Sequence, residues 1–361
     1  MKVLLIGNSV NGHRLKYITY LKNIEKLYDK SMKFDVYVLS NKGMIYKNVI
    51  ETDYCQNRSL RSYIDLLLKI RKIIKKNNYD IIHFLDGDEY YKFGGIFLSV
   101  LGSIKKIITF HHLFTSGLKK FLILKTMEKF DSSVVHTETL FSYFSKFISG
   151  KKLFKVDYPV FIYDDILEVD KTKAKQKLNL QDKKIVIGIL GGQSDYKGTD
   201  LFLQAMNNVS GDFFVVIAGR SIGNFTESYL KSFVENYNDK IRFEIKDLSE
   251  LEYINYLKSF DIIVFPYRKK FDGASGPLLE SIVAGKVVIG ANHGSMGAEI
   301  SRYSRGITFE SENVNDLSLV INKVLDKYES FICNDIEMEK KILEPKLFQE
   351  KYYNIYNSIG E

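Results

Sequence analysis

The stretch FDIIVFPYRKKFDGASGPLLESIVAGKVVIGAN, residues 260–292, decides the fold class. It holds an apolar run (260–267), a charged and glycine-rich loop, an apolar helix pattern from Ser275, and a second apolar run (286–292). Two strand-length runs joined through a helix form a parallel pair, because a tight turn cannot return the chain in the same direction. Neither run alternates with polar residues, as expected of strands covered on both faces. An acid, Asp272, precedes the Gly-Ala-Ser-Gly turn, and a second, Glu280, sits inside the apolar helix. The turn needs glycine or serine for its geometry; it does not need a carboxylate among apolar neighbours.

The same alternation extends outward in both directions. KKIVIGILGG (183–192), DFFVVIAGR (212–220) and IRFEI (241–245) read as further strands, with helices at 198–209, 225–237 and 249–258 between them. The first half repeats the scheme with KVLLIGNS from residue 2, FDVYVLS (34–40), YDIIHFL (79–85), KKIITFH (105–111) and DSSVVHT (131–137). Its clearest helix is 60–76, where Leu60, Tyr63, Ile64, Leu66, Leu67, Ile70, Ile73 and Ile74 share one side and Arg61, Lys69, Lys72 and Lys76 the other. The periodicity lapses around 155–178. The expectation is an α/β protein of two doubly wound, Rossmann-like domains facing across a cleft: residues 1–165 and 166–344, with a helical tail, 345–361, packing back on the first.

Composition narrows the class. At 361 residues, with 45% hydrophobic and 27% charged content, the chain supports two ordinary globular domains. Its two cysteines, Cys55 and Cys333, form neither a disulfide framework nor a zinc site. No secretory leader and no bilayer-length apolar run is visible, which predicts a cytoplasmic protein. The net charge of +8 is uneven: residues 1–160 carry 27 basic and 14 acidic side chains, residues 161–361 carry 25 and 30. A basic first half suits an anionic membrane surface, an acidic acceptor or nucleic acid. Nucleic acid is disfavoured, because the lysines lie on helix backs and are not interleaved with stacking aromatics. GNSVNG after the first strand does not match the dinucleotide-binding fingerprint, which disfavours a dehydrogenase.

Candidate chemistry lies where strands run into helices. LGGQSDYKGTDLFLQAM (190–206) is a Gly-Gly turn followed by Lys197-Gly198 at a helix start, an arrangement suited to an anion. If a helix starts at Ser275, its N–H groups face a ligand, Ala274 and Ser275 admit a phosphate closely, and Glu280 can accept from two neighbouring ribose hydroxyls. Asp86 and Asp88 in DGD imitate a metal motif, but they belong to a first-half loop, and no metal site is expected there.

GGQSDYKGTDLFLQA, AGR and SFDIIVFPYRKKFDGASGPLLESIVAGKVVIGANHGSMGAEI, in this order and spacing, resemble the C-terminal domain of GT-B glycosyltransferases of family 4. These are retaining enzymes that use nucleotide-sugars, and their signature is an acid, seven residues, then a glutamate. Here it reads Asp272 to Glu280, with Asp in place of the usual first Glu. The likeness is good over 185–300 and looser in the first half, in YDIIHFLDG and IITFHH. It implies that Lys197 pairs with the donor diphosphate, that Glu280 holds the ribose, and that Asp272 with the backbone of Gly273, Ala274, Ser275 and Gly276 holds the transferred sugar. It further implies that His111 reaches the sugar or its leaving phosphate, and that Gly12 lets the backbone approach the diphosphate. The family usually has an Arg where this chain has Gly192, and one of Arg268, Lys269 and Lys270, with Arg268 the first choice, is expected to supply the missing cation. Arg220 and the 244–248 loop are expected near the base, and His13 and His83 near the sugar or acceptor. His136 reads as a half-buried polar residue, and Glu299 as a cap of the next helix.

The resemblance implies a transferase that needs no metal or other cofactor and moves a sugar from a UDP- or GDP-sugar to a glycan or lipid-linked acceptor in surface-polysaccharide or lipopolysaccharide assembly. Its basic N-terminal domain would meet the inner face of the cytoplasmic membrane. A catalytically degenerate scaffold and an epimerase of the same fold are the alternatives.

Overall fold

A computed structural model describes residues 1–8, 13–40, 48–112, 117–271 and 275–360. Gly12, Asp272, Gly273, Ala274 and the His13 side chain lie outside what it describes. The chain divides into two compact units, Met1–Phe161 with Pro345–Glu361, and Ile162–Glu344.

The first unit is built on seven parallel strands: β1 (Lys2–Gly7), β2 (Lys33–Ser40), β3 (Val49–Glu51), β4 (Ile81–Phe84), β5 (Lys105–Phe110), β6 (Ser132–Val135) and β7 (Leu153–Lys155). They lie in the order β3-β2-β1-β4-β5-β6-β7. The second unit holds β8 (Val186–Leu190), β9 (Phe214–Ala218), β10 (Ile241–Glu244), β11 (Ile262–Phe265), β12 (Val287–Ala291) and β13 (Gly306–Phe309), ordered β10-β9-β8-β11-β12-β13 and again parallel. In each sheet the order reverses beside the first strand, between β1 and β4 and between β8 and β11. In open α/β sheets ligands bind beyond the carboxyl ends of the strands at such a reversal.

The ten strands read from the sequence are all present; β3, β7 and β13 were not foreseen, being three- or four-residue edge strands. Eight helices matter below: α1 (His13–Leu27), α2 (Leu60–Asn77), α3 (Gly117–Glu128), α4 (Glu138–Phe144), α5 (Thr199–Met206), α6 (Glu250–Ser259), α7 (Gly276–Val283) and α8 (Pro345–Gly360). Helix α2 shows how local sequence sets its limits. Ser59 accepts from Ser62 N–H at its start, and Asn78, in the left-handed conformation (φ 52°), closes it on Ile74 O. It buries Tyr63, Leu66, Leu67, Ile70 and Ile74 as its periodicity predicts, whereas Leu60 is exposed. The helix expected over 225–237 shortens to Glu227–Lys231, because the Asn207 carboxamide captures the N–H groups of Glu235 (2.9 Å) and Asn236 (3.3 Å) and donates to Phe233 O. Glu299 does not cap a helix; it lies within Gly294–Arg302, 3.6 Å from Arg302.

Helix α8 belongs to the first unit. It sets Phe348, Tyr352, Ile355, Tyr356 and Ile359 against Tyr17, Ile18, Leu21 and Ile24 of α1 and the apolar face of the sheet, and Lys351 bonds Asp157 at 2.6 Å.

Candidate nucleotide-sugar site

The carboxyl end of β8 runs into Gly191-Gly192-Gln193. Gly191 (φ 107°) and Gly198 (φ 66°) use backbone that side chains rarely adopt, and a Cβ on Gly198 would lie 1.9 Å from Pro266 O. The turn is therefore pressed against the exit of β11. Gln193, fully buried, fixes it by donating to Gly191 O (2.6 Å) and accepting from Thr199 Oγ1 (2.6 Å).

This packing brings Lys197 beside Tyr267. The ammonium bonds the Tyr267 hydroxyl and lies 4.0 Å above its ring, with Phe271 and Tyr196 rings at 5.6 and 5.9 Å. Burial lowers its pKa to about 8, while Tyr196 and Glu280 act in the opposite direction. The Tyr267 hydroxyl is 3.3 Å from Ser275 Oγ, so the chain links β8, β11 and the start of α7.

Ser275 caps α7 through Leu278 N–H (3.4 Å) and Leu279 N–H bonds Ser275 O. Pro277 has no N–H. Among the described residues, the N–H groups of Ser275 and Gly276 are those the helix start does not itself use. One turn further in, Glu280 is 7% exposed and accepts from the Tyr253 hydroxyl of α6. Burial, then Glu280's charge, raises the Tyr253 pKa far above its ordinary value, so the phenol stays a donor. Ser194 Oγ, next to the Gly-Gly turn, is buried and has no hydrogen-bond partner among the described residues.

The two arginines part company. Arg268 forks onto Asp200 (3.0 and 2.6 Å) and donates to Asp195 O (2.5 Å), which pins the Asp195–Lys197 turn to the β11 exit. Its guanidinium is committed within the protein and does not stand ready to replace the cation missing at Gly192. Arg220 is largely exposed, and its Cγ lies 3.9 Å from where a Cβ on Gly192 would be. His293 ties the approach to residues 272–274: its ring donates to Phe271 O (3.1 Å) and accepts from Ser311 Oγ (2.9 Å).

In the first unit the corresponding positions are spent differently. His111 follows β5; its N–H bonds Asp88 (2.9 Å), and its Nε2 donates to Leu85 O (2.8 Å). Asp86 accepts from Asn8 N–H (2.9 Å) and Asp88 also from His112 N–H (3.3 Å), so both carboxylates of DGD serve backbone groups. Among the described residues no group of three or more metal-binding side chains gathers. His83, expected to meet the sugar or acceptor, is corrected to a core residue. It lies within β4, wholly buried, bonded to Tyr356 (2.7 Å) and Thr109 (2.8 Å). His136 is likewise buried, between Val156 O (2.6 Å) and Tyr17 (3.2 Å). Burial lowers both histidines to about 3.

Sequence reading missed Tyr253 and Tyr267. Tyr267 carried a signal in its place directly after Pro266 at a strand exit; Tyr253 carried none, since only tertiary packing brings α6 to Glu280.

Comparison with solved structures defines the class first. A glycosyltransferase from Rickettsia africae ESF-5 superposes with a TM-score of 0.76 at 19% identity, covering 99% of this chain and 98% of that one. Anabaena Alr3699/HepE in complex with UDP gives 0.74 at 13%, covering 99% and 100%; the same protein is also known with UDP-glucose. The lipopolysaccharide outer core galactosyltransferase WaaB gives 0.72 at 12%, covering 99% of each chain. The fold is GT-B. No curated protein sequence matches the chain significantly. Residues 170–337 match the family "Glycosyl transferases group 1" and residues 2–143 match "Glycosyl transferase 4-like". Together these take in most of both units, and the chain belongs to the group 1 glycosyl transferases.

Proposed function

We propose that this chain is a retaining glycosyltransferase that takes a sugar from a nucleoside-diphosphate sugar, with UDP- or GDP-sugar as donor, to a glycan or lipid-linked acceptor of surface-polysaccharide or lipopolysaccharide assembly. The observation that carries this reading is the joining of Lys197, Tyr267, Ser275 and the Tyr253–Glu280 pair at the switch point of the second sheet. Neighbours of the same fold hold UDP and UDP-glucose.

In this reading Glu280 accepts from the ribose hydroxyls, and Tyr253 holds its carboxylate in place. Lys197, with the N–H groups of Ser275 and Gly276, meets the charge that grows on the diphosphate as the sugar–phosphate bond breaks; fixed donors at a desolvated site stabilise such charge by several kcal/mol. The Ser194 hydroxyl is a further donor beside that diphosphate. Arg220, adjacent to Gly192, takes the place of the second cation, and Arg268 positions Lys197 through Asp200 and Asp195. Asp272, with Gly273 and Ala274, is proposed to hold the sugar, and His111 and Gly12 keep the roles that the resemblance implies for them. The acceptor hydroxyl attacks on the face the phosphate leaves, so no enzymic nucleophile and no metal is required. The basic first half favours work at the inner face of the cytoplasmic membrane.

A thermal-shift panel of UDP, GDP, ADP and dTDP tests the donor. A ligand at 100 times its Kd adds about 2.7 kcal/mol of stability, so one nucleotide should raise the melting temperature of the second unit by several degrees. No shift with any of the four removes the proposal.

A further inference from the structure

Helix α3 breaks the usual pattern of a surface helix. Its inward side carries Ile123, Thr126 and Met127, all buried. Its outward side sets large apolar groups among charged ones: Leu118 is 70% exposed and Phe121 54%, beside the Lys125–Glu128 pair. Large apolar side chains on the solvent side of a helix mark a surface that meets a partner. Here the second face stands open to solvent.

The neighbours of α3 continue this surface. On one side Lys120 reaches Tyr143 of α4 (5.4 Å to the ring) and Phe147 just beyond it (4.3 Å), and Phe147 is itself exposed. On the other, the chain at Gly94 and Gly95 packs on Leu122, Lys125 and Lys129, and next to it Ile96 and Phe97 are exposed. Phe97 is held in the left-handed region (φ 66°). A bulky residue occupies that region only under strain, and here the strained residue is an exposed aromatic.

Charge selects the occupant. Residues 91–152 contain ten lysines and no arginine, against three acids, Glu128, Asp131 and Glu138. Two of these acids are neutralised within the surface, Glu128 by Lys125 (2.8 Å) and Glu138 by Lys155 (2.7 Å). Exposed Leu and Phe among lysines, whose ammonium groups lie over aromatic rings, suit the headgroup boundary of an anionic bilayer. Among the described residues no helix is long and apolar enough to cross a membrane, so the contact would be peripheral.

We propose that the outward face of α3, with Phe147 and the Ile96-Phe97 edge, docks on an anionic lipid bilayer. This deepens the functional reading and rests on it only for the claim that a lipid-borne acceptor is met there.

Co-sedimentation of the full chain with phosphatidylglycerol-containing and with pure phosphatidylcholine vesicles tests it. The wild type should bind the anionic vesicles at least tenfold more tightly. Leu118→Ser/Phe121→Ser should lose about tenfold or more of that binding, while Leu319→Ser, an equally exposed leucine of the second unit (67%), should lose none. Added salt should weaken the wild type without restoring the double variant to parity. Nucleotide-induced thermal shifts should be the same in all three proteins, which separates docking from donor binding. Equal vesicle binding by the wild type and the double variant overturns the proposal. So does a concentration-dependent dimer that the double variant abolishes, since a second copy would then cover the face.

Discussion

The two sheets end in loops of opposite economy. At the switch point of the second, Lys197 sits half-buried with aromatic rings and a phenol and, among the described residues, no carboxylate bonded to it, and Glu280 accepts from a neutral tyrosine. At the switch point of the first, Asp86 and Asp88 are taken by backbone N–H groups, and His83 and His136 are sealed in the core. A charged group without an opposite partner is costly in a fold and useful to a ligand that brings the missing charge. The contrast is the ground on which the donor is proposed to bind in the second unit.

Substitution of Lys197 should break the contrast most severely. Lys197→Ala is expected to lower kcat/KM by about a thousandfold, roughly 4 kcal/mol; steady-state assays with the best donor from the nucleotide panel measure it. The same lysine predicts a pH dependence. Its pKa of about 8 rises once a diphosphate is bound, so nucleotide affinity should fall as pH increases above 8, towards tenfold per unit. Calorimetry between pH 7 and 9.5 reads this directly, and a flat profile would show that Lys197 does not touch the phosphate.

Acid should break the first unit before the second. His83 and His136 remain neutral in the fold to about pH 3, whereas in the unfolded chain they take up protons near pH 6.5. Their contribution is therefore complete above pH 6.5 and is lost as pH falls towards 3. By pH 5 each should have cost about 2 kcal/mol of stability. Thermal melts followed by hydrogen exchange should show the first unit opening earlier at pH 5 than at pH 7.5, and His83→Gln/His136→Gln should flatten that difference.

Tyr253→Phe sharpens the contrast more gently. It keeps the ring and removes the donor to Glu280, so the donor KM should rise about tenfold while kcat falls less than threefold, since a hydrogen bond to a charged group contributes roughly 1.5 kcal/mol. Arg220→Ala, at an exposed guanidinium, should raise KM only three- to fivefold.

How far the sequence alone reached follows from what each feature depends on. Strands such as KVLLIG and KKIVIGIL declare themselves by local apolar runs, and both parallel sheets were legible. Short edge strands such as Gly306–Phe309 carry too few residues for a period. Lys197, Ser275 and Glu280 were readable because turn chemistry and an acid in an apolar helix are local anomalies. The fate of Arg268 was not, because Asp200, its partner, is 68 positions away and is reached only when α5 packs beside the β11 exit. His83 misled for the same reason: only the tail helix α8, 273 positions on, shows that its ring faces Tyr356 in the core.

The most direct test of the central claim is a binding cycle between Glu280 and the ribose, measured by calorimetry with UDP, or with whichever diphosphate the panel selects, and with its 2′-deoxy analogue. The wild type should prefer the ribonucleotide by tenfold or more, and Glu280→Ala should bind both equally. A preference that survives in Glu280→Ala would contradict the account and move the nucleotide away from the second sheet's switch point.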